Sequence, residues 1–331
     1  MSTSWLKLLH GAAVSTVPSK RRLDPERLHT WIDALAVKRG VPSWFDRFTP
    51  HRIAGQAGEL HVDIVQASTP GRVFVFMPGT NAYTLLYGEF LVAMADQGWA
   101  VVAFDPRGHG RSDGKRGSYT IDELLEDYAT VVSFARGMSG DGAVVVSGSS
   151  QGGIVAFYYA LSDPSVDAYV CHNLADLSDP SSVALTRFGD RGHALRPWIE
   201  RLARVFPEAP VPMQSYLDLR REPVRGQPHA LHVLLEDPWI PWFVRVKTLA
   251  SLGTAPPPAP IDSIRTPGLV LQAGDDTIFP TSYIRRLVDR IPNADLELFP
   301  GLPHYMIVDH VDRVVPALVD WLERHVNRGS N

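Results

Sequence analysis

Two segments of the chain match the pattern Gly-x-Ser-x-Gly, in which a serine hydroxyl can act as a nucleophile. The hydroxyl is exposed for attack when the serine stands on a tight turn between a buried strand and a helix. Ser150 meets this requirement, because the apolar residues 143–147 precede it and a helical pattern over residues 152–161 follows it. Ser112 lies in a polar stretch with no strand directly before it, which is typical of a loop. The sequence therefore predicts Ser150 as the nucleophile.

A serine hydroxyl needs a base that takes its proton and an acid that orients the base. Where a serine of this kind stands on a turn between a strand and a helix of an α/β sheet, the acid follows the serine in the chain and the base comes last. His304 stands in a Gly/Pro loop after the last predicted strand, and Asp275 and Asp276 follow the strand before it. Both loops lie at carboxyl ends of parallel strands, where such sheets build their sites. We predict His304 as the base and prefer Asp276 as the acid, with Asp275, Asp176 and Asp179 as alternatives.

Attack on an ester carbonyl places negative charge on its oxygen, and preorganised backbone N–H groups stabilise that charge. Gln151 follows the nucleophile, so its N–H opens the predicted helix and can supply one donor. The second donor is expected from the turn after the strand at residues 72–77. Gly79 lets the backbone turn there and directs the N–H of Thr80 toward Ser150. Thr80 and Gln151 are thus the predicted oxyanion hole.

The candidate site residues come together only if the ends of several strands meet. The order of strand and helix patterns along the chain predicts a fold of this kind. Short apolar runs alternate with helical patterns up to about residue 173 and again after residue 260. This order predicts an α/β fold with a mostly parallel, doubly wound sheet. The predicted strands are 59–66, 72–77, 99–104, 143–147, 166–172, 268–273 and 295–299. The predicted helices of this part are 25–38, 81–97, 121–135, 152–161, 281–291 and 311–326.

The alternation of strand and helix patterns is interrupted over residues 174–260, which are rich in Pro, Arg and Trp. This stretch shows short helical patterns at 193–205, 214–221 and 241–252. A stretch of this length is too long for a structureless loop, so we predict a helical insertion. The sequence divides into an N-terminal helical extension (1–45), a core (46–173 and 261–331) and this insertion.

Composition limits the classes of partner. The 331 residues contain 32 Lys and Arg against 36 Asp and Glu, so no basic excess supports nucleic acid as a main partner. The single cysteine, Cys171, excludes an internal disulfide and a thiolate metal cluster. Neither a metal nor a cofactor is predicted. No apolar stretch approaches the ~20 residues that span a bilayer.

The segment 5–14 has apolar residues at helical spacing, but Lys7 and His10 interrupt it, which favours a short helix over a secretory signal. We expect a cytoplasmic monomer or homodimer. Weak contact of an amphipathic helix with a membrane surface stays open.

Four segments resemble one family: Asp-Pro-Arg-Gly-His-Gly-Arg-Ser at 105–112, Gly-Ser-Ser-Gln-Gly-Gly at 148–153, Asp-Asp-Thr-Ile-Phe-Pro at 275–280 and Gly-Leu-Pro-His at 301–304. Together they resemble the α/β-hydrolase superfamily, in the branch of monoacylglycerol lipases, lysophospholipase-like esterases and serine-aminopeptidase-like hydrolases. The resemblance implies the α/β-hydrolase fold with an inserted helical cap (lid) at 174–260, and it selects Asp276 as the acid.

The resemblance also implies a function. We expect a serine carboxylester hydrolase that acts through an acyl-enzyme on small to medium apolar esters, such as monoacylglycerols. Alternatives on the same three residues are an aminopeptidase, a thioesterase and an acyltransferase, and a non-catalytic ligand-binding protein is the alternative outside enzymes. Bulky side chains of the insertion are candidates for lining the substrate pocket: Tyr216, Trp239, Trp242 and Phe243.

Overall fold

The computed structural model of the protein describes residues 24–326, so the helix predicted at residues 5–14 lies outside the described residues. An eight-stranded sheet runs through the centre of this part of the chain. Its strands are β1 (Thr49–Gly55), β2 (Gly58–Val65), β3 (Arg72–Met77), β4 (Ala100–Asp105), β5 (Ala143–Ser149), β6 (Ala168–His172), β9 (Gly268–Ala273) and β10 (Ala294–Phe299). The short strands β7 (Pro210–Pro212) and β8 (Phe243–Arg245) form a separate antiparallel pair.

The strand order is β1-β2-β4-β3-β5-β6-β9-β10. The pairs β1–β2 and β2–β4 are antiparallel, and all the other neighbours in this sheet are parallel. The predicted α/β fold with a mostly parallel sheet is therefore confirmed. The carboxyl ends of β3, β5, β6, β9 and β10 meet at one edge, as the placement of a site requires.

Helices cover both faces of the sheet. The α-helices are α1 (Pro25–Arg39), α2 (Gly88–Asp96), α3 (Ile121–Ser139), α4 (Gln151–Ser162), α5 (Gly192–Val205), α6 (Ala230–Glu236), α7 (Val246–Thr254), α8 (Thr281–Val288), α9 (Met306–Asp309) and α10 (Val311–His325). Short 3₁₀ helices lie at Phe45–Arg47, Thr84–Tyr87, Pro180–Leu185, Gly189–Arg191, Met213–Ser215 and Ile261–Ser263. None of the helices in residues 24–326 combines the length and the apolarity that crossing a membrane requires.

The alternation of β3 shows why two layers of helices form. Val73, Val75 and Met77 join one hydrophobic cluster with α3, α4 and α8, whereas Phe74 and Phe76 join a second cluster with α1, α2 and α10. Because successive side chains of a strand point to opposite faces, an apolar run such as this one is buried on both sides. Strand β5, which carries the nucleophile motif, is likewise fully buried.

Three predicted elements differ from the structure. The helix predicted at 81–97 begins only at Thr84, as a 3₁₀ helix that leads into α2. Asn81 has a positive φ of 58°, and its Nδ2 donates to the carbonyls of Pro241 and Phe243 at 2.9 and 2.7 Å, which fixes a turn in place of the first helical residues. Strand β1 was not predicted, because most of its side chains are exposed and show no apolar alternation.

The other two predicted elements that differ are helices of the insertion. The helix predicted at 214–221 is reduced to a single 3₁₀ turn, since the carbonyls of Tyr216 and Leu219 accept from the distant N–H groups of Arg187 and Leu231. The helix predicted at 241–252 begins at Val246, after the residues of β8 pair with β7. Tertiary hydrogen bonds outweigh local helical preference at both places.

Candidate active site

Ser150 occupies a sharp turn between β5 and α4. Its backbone φ of 55° and ψ of −119° lie outside the regions that residues other than glycine ordinarily adopt. Its N–H donates to the carbonyl of His172 at 2.7 Å. Such a backbone conformation costs free energy and persists only where the surrounding structure imposes it. The turn lifts Ser150 out of the strand to the carboxyl edge of the sheet.

Small neighbours make this turn possible. A Cβ on Gly148 would lie 2.3 Å from the carbonyl carbon of Gly152, and a Cβ on Gly152 would lie 2.1 Å from the carbonyl oxygen of Met77. Both distances are well below van der Waals contact with rigid backbone atoms. The two glycines of the Gly-x-Ser-x-Gly motif are therefore required by the close approach of α4 to β3 and β5.

His304 and Asp276 form a buried pair in the loops after β10 and β9. Nδ1 of His304 lies 2.8 Å from Oδ2 of Asp276. The other carboxylate oxygen of Asp276 accepts from the N–H groups of Ile278 and Phe279 at 2.8 and 2.7 Å. These bonds fix the carboxylate, so that one oxygen faces the imidazole. Asp275, by contrast, is exposed.

The surroundings adjust both groups toward a charged pair. Burial alone raises the pKa of the Asp276 carboxyl, but the charge and hydrogen bond of His304 outweigh it and hold that pKa below its usual value. For His304 burial lowers the pKa, and the Asp276 carboxylate, helped by Glu222, more than compensates, so that the pKa of His304 is raised. The site thus favours an imidazolium, the form that a general base reaches after taking a proton.

The alternative acids and the alternative nucleophile form local hydrogen bonds that stabilise loops. Asp176 accepts from Ser178, and Asp179 caps the 3₁₀ helix at Pro180–Leu185. Oγ of Ser112 donates to the carbonyl of Asp105 and accepts from the N–H of His61. None of these three side chains forms a hydrogen bond or an ion pair with His304.

Glu222 is a buried carboxylate of the insertion that sequence analysis did not identify. Its Oε2 accepts from the backbone N–H of His304 at 3.0 Å, and its Oε1 accepts from the N–H of Thr277 at 2.7 Å and from the Thr277 hydroxyl. One side chain therefore joins the loop of the acid to the loop of the base. No local pattern distinguishes Glu222 from the exposed carboxylates of the insertion, so only the tertiary structure shows this role.

The end of β6 supplies two more neighbours. Nδ2 of Asn173 donates to Oδ2 of Asp276 at 3.0 Å, and the His172 ring centroid lies 5.2 Å from that of His304. Burial lowers the pKa of His172 to about 3, so its ring is neutral. Both lie where the parallel strand β6 ends at the site edge of the sheet, and this position is the signal that could have identified them.

His172, Asp276 and His304 also form the group of potential metal ligands among the described residues, with ligand atoms within 4.8 Å of one another. The hydrogen bond between His304 and Asp276 already engages two of these ligands.

A cavity of about 450 Å³ opens at this edge of the sheet, and Ser150, His304, Thr80 and Gln151 all line it. The Thr80 hydroxyl donates to Oε1 of Gln151 at 3.1 Å, and the hydroxyl of Tyr119 donates to the same oxygen at 3.1 Å. Gln151 is the first residue of α4, where a backbone N–H has no acceptor within the helix. The two residues predicted for the oxyanion hole are thus adjacent to each other and to the nucleophile.

The aromatic residues predicted for substrate contact divide between two places. Tyr216 lines the cavity, but Trp239, Trp242 and Phe243 are not among its lining residues. Trp239 packs against Trp31, with ring centroids 6.2 Å apart, and Trp242 is exposed beside Phe243. The insertion lines the cavity mostly with other apolar side chains: Leu177, Val183, Leu185, Phe188, Leu195, Trp198, Leu202, Met213, Leu217, Leu219, Val233, Leu234, Leu249 and Leu252.

Comparison with known proteins identifies the family of the chain. A family model described as serine aminopeptidase, S33, matches residues 68–310. The chain belongs to this family. It is also 26% identical over 298 residues to a monoacylglycerol lipase of Mycolicibacterium smegmatis, an alignment that covers 83% of this chain and 97% of that protein.

Solved structures match the fold. The monoacylglycerol lipase of Paleococcus ferrophilus superposes with a TM-score of 0.63 at 23% identity, over 80% of this chain and 99% of the other. A soluble variant of the monoglyceride lipase of Saccharomyces cerevisiae superposes with a TM-score of 0.69 at 18% identity, over 85% and 96% of the two chains. The chain is thus an α/β-hydrolase of the monoacylglycerol-lipase-like branch, a hydrolase of the esterase and lipase type.

Proposed function

We propose that the protein is a serine carboxylester hydrolase that cleaves monoacylglycerols or similar apolar lipid esters. One observation carries this proposal: a serine on a strained turn and a histidine paired with a buried aspartate line the same apolar cavity. The relative from Mycolicibacterium smegmatis, named a monoacylglycerol lipase, supports the choice of substrate class.

In the proposed reaction Oγ of Ser150 attacks the ester carbonyl while Nε2 of His304 takes its proton. Asp276 stabilises the imidazolium, and the N–H groups of Thr80 and Gln151 bind the oxyanion. His304 then protonates the leaving alcohol, and an acyl group stays on Ser150. In the second half His304 removes a proton from water, which attacks the acyl carbonyl. The bond to Oγ of Ser150 then breaks, His304 returns the proton to Oγ, and the acid is released.

The cavity suits an acyl chain of medium length. Its volume of about 450 Å³ lies within the range of about 300–1,000 Å³ typical of pockets for small-molecule ligands, and its lining is mostly apolar. The insertion at 174–260 would act as the cap over this chain. Its helix α5 forms the open side, where Leu195, Trp198 and Leu202 are exposed and also line the cavity. An apolar face of this kind suits contact with the lipid surface from which a monoacylglycerol is drawn.

Chain-length dependence tests the substrate class. With para-nitrophenyl esters of increasing acyl length, we expect kcat/KM to rise about three- to fourfold per methylene, because each buried methylene contributes ~0.8 kcal/mol. The rise should stop when the cavity is full. Monoacylglycerols in phospholipid vesicles should be hydrolysed as well. Faster cleavage of aminoacyl amides would indicate an aminopeptidase instead, and transfer of the acyl group to added alcohol in preference to water would indicate an acyltransferase.

Glu222→Gln tests how the insertion supports the base. The amide keeps the acceptor for Thr277 but presents a donor to the N–H of His304, so the base loop loses its bond. We expect kcat/KM to fall about tenfold. Removal of the negative charge also destabilises the imidazolium, so the acidic limb of the pH profile, set by the raised pKa of His304, should move to lower pH.

Glu208→Gln is the matched control, since Glu208 is a carboxylate of the insertion that binds Ser118 and Lys115 at the surface. Its pH profile should match that of the wild type. A Glu222→Gln enzyme that loses activity without any movement of the acidic limb would show that Glu222 is only a structural brace.

A further inference from the structure

Arg39, in the last turn of α1, is a cation on the inner wall of the active-site cavity. Only 8% of it is exposed, and the same cavity is lined by apolar residues that include Leu86, Ile307 and Val308. A guanidinium removed from water is costly unless other groups pair with it. Hydrolysis of a neutral ester does not require a cation at this position.

The bonds of Arg39 leave most of its donors unused. Nη1 donates to the carbonyl of Leu86 at 3.2 Å, and the guanidinium carbon lies 5.4 Å from the ring centroid of Trp44. Nε is buried without a hydrogen-bond partner. Among the carboxylates whose side chains the structure describes, none lies within 4.0 Å of the guanidinium nitrogens of Arg39, the distance that defines an ion pair. The nearby Asp309 directs Oδ2 to the N–H of Arg225 at 2.8 Å instead.

Another buried arginine of the chain shows what full pairing does. Arg107 donates to both oxygens of Asp127. Burial lowers the pKa of Arg107, but the Asp127 carboxylate raises it by more, so that the pKa lies above its usual value. For Arg39 burial lowers the pKa, and the more distant carboxylates of Asp309 and Glu89 do not restore it. Arg39 therefore lines the cavity as a buried cation without a carboxylate paired to it.

The position of Arg39 relates it to the reacting centre. Tyr87 lies on the same cavity wall, within the electrostatic influence of Arg39, and its hydroxyl accepts from the N–H of Gly79 at 3.2 Å. Gly79 in turn approaches Ser150, since a Cβ on it would lie 3.4 Å from that of Ser150. Arg39 and Ser150 thus line the same cavity, and Tyr87 and Gly79 lie on its wall as well.

We infer that Arg39 binds an oxyanion, a carboxylate or a phosphate, that the ester substrate carries at a distance from the scissile bond. A planar guanidinium with free N–H groups in an apolar wall binds such a group through charge-assisted, often paired, hydrogen bonds. The protein would accordingly prefer anionic amphiphilic esters to neutral ones of equal length. This inference rests on the proposed esterase function and narrows its substrate class.

Matched substrates test the inference. The mono-para-nitrophenyl ester of adipic acid is compared with para-nitrophenyl hexanoate, which has the same carbon chain without the carboxylate. A second pair, acylglycerol phosphate against monoacylglycerol, places the anion on the alcohol side and separates phosphate from carboxylate. For at least one pair we expect wild type to favour the anionic ester. Arg39→Met should lower the anionic-to-neutral ratio of kcat/KM about ten- to a hundredfold, and Arg39→Lys should lower it less.

Lys38→Met is the matched control, because Lys38 is the neighbouring cation of α1 and pairs with Glu236 at the surface. Its ratio should equal that of the wild type. A ratio that Arg39→Met leaves unchanged for both pairs, or equal losses on anionic and neutral esters, would overturn the inference and make Arg39 structural.

Binding separates this inference from the proposed function. Should wild type hydrolyse no ester, the proposed function fails, and calorimetry of decyl phosphate and decanol then decides the role of Arg39. Tighter binding of the phosphate by wild type, lost in Arg39→Met, supports it. Equal binding of decyl phosphate to both proteins overturns it.

Discussion

Ser150→Ala is expected to reduce kcat for ester hydrolysis by about 10⁴-fold or more, because it removes the atom that forms the acyl-enzyme. The folded state should be retained. Ser150 has a φ of 55°, which alanine tolerates no worse than serine, and its side chain makes no hydrogen bond that holds the turn. Initial rates with a para-nitrophenyl ester, together with the melting temperature, measure both expectations.

Ser112→Ala is the control for this variant, since Ser112 stands in the second Gly-x-Ser-x-Gly segment and is bonded to backbone groups of β2 and β4. Its loss should affect stability more than the chemical step. An enzyme in which Ser150→Ala hydrolyses esters at nearly the wild-type rate would contradict the proposed mechanism.

Asp276→Asn is expected to lower kcat by about 10⁴-fold, the loss typical when the acid of a Ser-His-Asp site becomes an amide. The asparagine can keep Oδ1 on the N–H groups of Ile278 and Phe279, so the loop survives. Its amide nitrogen then faces Nδ1 of His304, which must accept. The proton moves to Nε2, and the ring can no longer take the proton of Ser150.

Asp275→Asn is the matched comparison, because its carboxylate is adjacent in sequence but exposed. It should retain activity within a fewfold of wild type. Both variants are compared by kcat at a pH above the acidic limb of the pH profile. Similar losses of kcat in the two would contradict the role of Asp276 as the acid that pairs with His304.

The sheet was predictable from sequence because its strands are long apolar runs bounded by turns, and the elbow because glycines flank Ser150 between a strand and a helix. The insertion was not predictable in detail. The segment 214–221 has helical spacing, yet its carbonyls accept from residues far along the chain. Local pattern carries no information about such bonds.

The same distinction holds within the site. His304 and Asp276 were predictable because each follows a strand whose end lies at one edge of the sheet. Glu222 and Arg39 were not, since they come from the insertion and from α1, which reach the cavity only through tertiary packing. Sequence also favoured Trp239 and Trp242 as pocket residues on size alone, whereas one packs on α1 and the other faces solvent.

Mapping the site of a fluorophosphonate adduct tests most directly whether His304 activates Ser150. Peptide mass spectrometry of the labelled wild-type protein should find a single adduct, on Ser150, and His304→Ala should slow its formation by orders of magnitude. An adduct on Ser112, or rapid labelling of Ser150 that is indifferent to the loss of His304, would contradict the proposed mechanism.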